Sequence, residues 1–138
     1  MHLTNYIQEG VTARDLLRVM DGKVHRAVLF GIPLQQTWSH RVDANDAPSY
    51  YLDTDAPLYY YSFTDACIAM QYKSLTPAEQ ARFDPMITGF NPADMYAVDH
   101  IKRVLKTFPG VFVGIGEFTI HKEFVSAKIA GGPATLTD

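Results

Sequence analysis

The chain has 138 residues, 47% of them hydrophobic and 20% charged, and carries a formal net charge of −3 at pH 7. That length suits one domain, which buries roughly 65–70% of the surface its unfolded chain exposes. No window concentrates Lys and Arg, so the basic stripe that neutralises phosphates in a nucleic-acid binder is missing, and no window approaches the roughly 18 consecutive apolar residues of a membrane span.

The lone Cys67 cannot close an intramolecular disulfide, and Ala66, Ile68, Ala69 and Met70 around it predict a buried, inert thiol. Residues 1–10 include His2, Thr4, Asn5 and Gln8 in place of the basic and apolar regions of a secretory signal. A cytoplasmic location is therefore expected.

In chain order, Thr12 and Asp15 start a helix through Leu16, Leu17, Val19 and Met20 that Asp21-Gly22 ends. Residues 27–33 form a short apolar run that reads as a buried strand. Residues 37–61 then read as a long irregular loop, with Pro48, Pro57, a series of Asp and Asn residues, and the aromatics Tyr50, Tyr51, Tyr59, Tyr60 and Tyr61. Loops of this length are usually functional or mobile, and this one leaves the C-terminal end of a strand, where ligands bind in α/β folds. It is a candidate substrate wall.

Residues 62–73 are helix-like, with Phe63, Ala66, Cys67 and Met70 on a stripe, and Thr76-Pro77-Ala78-Glu79 is a capping-box start. Residues 85–90 read as a second strand. A helix over 92–107 follows, capped by Asn91, with Pro92 in its first turn and Met95, Val98, Ile101, Leu105 and Phe108 on its apolar stripe. Pro109-Gly110 stops it, and residues 111–116 read as a third strand buried on both faces. Strands separated by helices imply neighbouring parallel strands joined by crossovers.

Common enzyme signatures are missing: there is no glycine-rich phosphate loop, no Gly-x-Ser-x-Gly, no Cys-x-x-Cys and no His-Glu-x-x-His. What stands out is the polar segment after the third strand, residues 116–123. If it stays extended, the period of two places Glu117, Thr119 and His121 on one face, continuing an inward row of Val111, Val113 and Ile115.

Residues 2–138 resemble the first half of a metal-dependent hydrolase of the amidohydrolase superfamily. That family opens with His-x-His followed by Leu, and Met1-His2-Leu3 looks like the second histidine of the motif; Val113-Gly114-Ile115-Gly116-Glu117 looks like its fourth-strand glutamate. The resemblance implies an α/β fold of parallel βα units forming part of a (β/α)8 TIM barrel. It implies His2 and Glu117 as metal ligands, with zinc the expected divalent metal, and His121 and Lys122 as catalytic residues that position substrate or pair with the carboxylates. The implied reaction is hydrolysis of an amide, ester or lactone of a small molecule by metal-activated water, or a decarboxylation.

No counterpart of the family's remaining two histidines and aspartate lies within the 138 residues. The chain is therefore expected to be the N-terminal portion of a larger barrel, self-associating or weakly stable by itself. Two other readings fit the same residues: a non-catalytic small-molecule-binding α/β domain, and an interaction protein that completes its sheet with a partner chain.

Overall fold

The computed structural model describes residues 1–3, 11–38, 48–117 and 122–130. Helix α1 (Ala13–Met20) begins with a complete capping box: Thr12 accepts the Asp15 N–H, and the Asp15 carboxylate accepts the Thr12 N–H at 3.0 Å. The Thr12 hydroxyl, donating to Asp15 Oδ2 at 2.6 Å, and the Thr12 N–H hold the Asp15 carboxyl below its ordinary value. The box therefore contributes stability above the ordinary carboxylate range and loses it as pH falls through the depressed folded value. Replacing Thr12 by alanine is expected to cost about 1 kcal/mol in urea unfolding at neutral pH.

The main sheet is parallel, in the order β1 (Ala27–Leu29), β4 (Phe83–Ile87), β5 (Gly114–Ile115). On the other side of β1, the Leu3 N–H donates to the Phe30 carbonyl at 2.9 Å and the Phe30 N–H to the Met1 carbonyl at 3.1 Å. This pairing is also parallel and sets His2 opposite Phe30. Helices α2 (Phe63–Lys73), α3 (Pro77–Gln80) and α4 (Ala97–Thr107) fill the connections. Gln71 accepts the Ala13 N–H at 2.8 Å and Arg14 pairs with Glu79 at 3.1 Å, which ties α1 to α2 and α3. The core under this sheet contains Leu3, Leu29, Ile68, Phe83, Ile87 and Val104.

Several expectations need correction. The three segments are parallel neighbours, but the partial (β/α)8 barrel is not what forms. The described residues make a three-stranded parallel sheet and a separate two-stranded antiparallel one, with no barrel closed. The described parallel strands are too few to close a barrel. The segment expected to be an irregular loop is in part a second sheet. Its flanks zip together as β2 (Leu34–Gln36) and β3 (Leu58–Tyr60), with Leu34 opposite Tyr60. Leu34 and Leu58 join Val125 and Ile129 in a second, small core beneath the segment that ends in a 3-10 turn at Ser126–Lys128.

The third strand is shorter than expected and is not buried on both faces: Val113 and Ile115 are 62% and 50% exposed. Strand β5 pairs with β4 alone, and no described element covers that face. The last helix starts at Ala97 rather than Pro92, because Asn91 accepts the Ala93 N–H two residues on and so closes a turn. Its packed stripe is Ala97, Ile101, Val104 and Phe108, while Met95, Val98 and Leu105 are exposed. Helix α2 likewise buries Thr64, Asp65, Ile68 and Ala69 and exposes Phe63 and Met70. Cys67, expected to be buried, is only half-buried, and burial pushes its thiol up, which suits an unreactive one. Among the described residues no helix is long and apolar enough to cross a membrane.

Candidate functional site

The parallel strands run in one direction, so the residues that follow their C-terminal ends meet at one edge of the sheet. Residues 31–33 leave β1 there, and Gly116 leaves β5 to carry Glu117. Gly116 has a φ of 127°, a conformation open to glycine and strained for other residues. Its N–H donates to the Ile87 carbonyl at 2.8 Å, and its own carbonyl accepts the Thr88 hydroxyl at 2.9 Å. Both groups before the Glu117 Cα are therefore held by the end of β4.

His2 reaches the same edge. Its ring stands edge-on to Phe30 with centroids 4.5 Å apart, and Nε2 lies 3.8 Å from Glu117 Oε1. The two side chains keep 49% and 61% of their surface exposed, so ligands can reach the pair. Partial burial, together with the neighbouring amino terminus and Lys122, lowers the His2 pKa, against an opposing pull from Glu117. Near neutral pH the imidazole is consequently uncharged, with a lone pair to offer a metal or a proton.

These two residues line a cavity of about 60 Å³ with Gly31, Leu34, Tyr51 and Lys122. The volume holds a few water molecules, so the bulk of a larger ligand would lie across the open rim. Lys122 donates to the Tyr51 hydroxyl at 2.7 Å, and its ammonium lies 5.0 Å from the centre of that ring. The small second core places both groups: Tyr51 packs against it, and the Lys122 N–H donates to Ser126 Oγ at 2.8 Å. Tyr50 stacks edge-on against Tyr51, and burial together with that neighbour pushes the Tyr50 phenol up to about 12. Gly31 allows a close approach by the helix behind the cavity, since a Cβ there would collide with the Thr64 hydroxyl and crowd Ile68.

Of the residues singled out from the sequence, His2, Glu117 and Lys122 thus share one cavity. His121 lies outside the described residues. From the proposed substrate wall, Tyr51 reaches the cavity, while residues 39–47 are not described. Sequence reasoning missed Thr88 and Asp65, which stand behind Gly116. Their roles depend on contacts between α2 and the end of β4, for which no local pattern exists.

The donor set suits part of a divalent-metal site. Ligands of one zinc ion lie roughly 2.0–2.2 Å from it, so their coordinating atoms sit about 3–4 Å apart, as His2 and Glu117 do. Among the described residues no cluster of three or more His, Cys, Asp or Glu side chains could hold a metal. The wider cleft beside α1, about 490 Å³, is lined by Arg14, Arg18, Asp21 and Glu79. Three of these are already paired, Arg14 with Glu79 and Arg18 with Asp15. No protein-family model, curated protein or solved structure matches the chain.

Proposed function

We propose that the chain carries a metal-dependent hydrolase site of the amidohydrolase type, with His2 and Glu117 as protein ligands and zinc as the divalent metal. The observation that carries this reading is the 3.8 Å approach of Nε2 and Oε1 at the C-terminal edge of a parallel sheet, between residues from opposite ends of the sequence. A bound ion of this kind supplies Lewis acidity, polarising a carbonyl and acidifying water. The chain's own residues orient and select. The Lys122 ammonium, held by the Tyr51 hydroxyl, presents positive charge to a developing carboxylate. Glu117 and the uncharged His2 keep their lone pairs directed at the shared space, and the wall formed by Ile32, Pro33 and Leu34 limits water on one side. The bond broken is an amide, ester or lactone, or the carboxyl carbon–carbon bond of a small acid. The proposal places this chemistry in the cytoplasm.

One observation favours a second reading. The Lys122 ammonium lies close enough to act on the His2 pKa, and a resident cation opposes a metal ion while it attracts an anion. On that reading the cavity belongs to a non-catalytic domain that binds a small carboxylate.

Cobalt(II) titration, followed by visible absorption, separates the two. Loss of an outer-shell partner already weakens metal binding about 10–100-fold, so His2→Ala and Glu117→Gln are each expected to weaken it about 100-fold. Lys122→Met is expected to tighten it. Wild-type affinity in both ligand variants would refute the metal reading. Weaker cobalt binding in Lys122→Met would show that the ammonium supports the ion rather than opposing it.

A further inference from the structure

A second cleft, of about 270 Å³, opens at the end of β4 and is lined by Ser62, Gly89, Asp94, Tyr96, His100 and Arg103, among others. At its base Asp65, 1% exposed, accepts the N–H groups of Thr88 at 2.8 Å and Gly89 at 3.0 Å. The same carboxylate lies 2.7 Å from His100 Nε2. An acceptor with two backbone donors already on it calls for a donor from the imidazole, so the Nε2 proton faces Asp65 and Nδ1 is left for the cleft. Among the described residues no hydrogen-bond partner meets Nδ1.

One turn further along α4, Arg103 lines the same cleft, and no carboxylate among the described residues pairs with its guanidinium. The acid at the rim, Asp94, is engaged through Oδ1, which accepts the Tyr96 N–H at 2.9 Å. A guanidinium fork with no carboxylate on it among the described residues matches the planar, two-oxygen edge of a carboxylate or phosphate.

We infer that this cleft is a binding site for a small oxyanion, a carboxylate or phosphate group, held by the Arg103 guanidinium in the cleft that His100 also lines. The site is independent of the metal reading, because it shares no lining residue with the cavity at His2 and Glu117. Inorganic phosphate and acetate, titrated at constant ionic strength into isotope-labelled protein, test it through the His100 side-chain signals. The expected result is a saturable shift with at least one of the two anions, and the preferred anion identifies the group. A charge-assisted contact is worth about tenfold or more in affinity, so Arg103→Met should weaken binding by at least that factor. Arg103 is exposed, so the fold should tolerate the change. Arg103→Lys should recover part of the loss, and His2→Ala should leave binding unchanged. No saturable shift with either anion, or wild-type binding by Arg103→Met, would overturn the inference.

Discussion

Replacing Asp65 by alanine is expected to lower the unfolding free energy by about 3–5 kcal/mol, the range for breaking a buried pair from one side. The carboxylate sits on α2, fully buried, and receives three donors from two other parts of the chain: the Thr88 and Gly89 amides after β4, and His100 on α4. Desolvation raises its pKa, against the pull of these three bonds. Alanine would leave all three donors buried or half-buried without an acceptor, each at the desolvation cost of a polar group. Asparagine keeps one acceptor and the shape, so it is expected to cost roughly half as much. The check is urea unfolding of Asp65→Ala, His100→Ala and the double variant. The double should lose less than the sum of the singles, since the partners share one bond. A loss under about 1 kcal/mol for Asp65→Ala would show that the carboxylate does not hold this turn. Because the Thr88 hydroxyl fixes the Gly116 carbonyl, the proposed metal site should weaken in the same variant.

The second large effect contrasts two residues of one sheet. Phe83, 2% exposed, opens the central strand β4 and packs in the main core. Phe83→Ala is expected to cost about 3–5 kcal/mol through lost burial and the cavity left behind. Val113, just before β5, is 62% exposed, so Val113→Ser should stay within about 0.5 kcal/mol. Both follow from the same unfolding curves. A cost above about 1 kcal/mol for Val113→Ser would mean that another molecule covers this face in solution.

How legible the molecule is from its sequence depends on how far apart the determining contacts lie. Both capping boxes, Thr12 with Asp15 and Thr76 with Glu79, are read correctly because both partners fall within four residues. The parallel segments around Leu29, Ile87 and Ile115 are recognisable by their apolar runs. The face of α2 is not, since it buries Thr64 and Asp65, polar residues whose surroundings come from a remote turn and from Gly31. Residues 58–60 read as loop and residues 34–36 belong to no expected strand, because Gln35 and Gln36 give no alternation and the pairing closes over a long excursion. His2 and Glu117 can be singled out from the sequence, but their 3.8 Å approach can only be seen in the fold. The same holds for the link between Lys122 and Tyr51, which joins distant segments.

The cavity straddles two separate hydrophobic clusters. His2 and Glu117 hang from the main sheet, whereas Tyr51 and Lys122 rest on the small cluster of Leu34, Leu58, Val125 and Ile129. Among the described residues this cluster has four buried members against fourteen in the main one, and such small regions open sub-globally at a lower free energy than the whole domain. One wall of the site can therefore loosen while the other keeps its native geometry. If the proposed site binds a ligand, its selection on the Tyr51 side would be coupled to a local folding equilibrium that leaves His2 and Glu117 undisturbed.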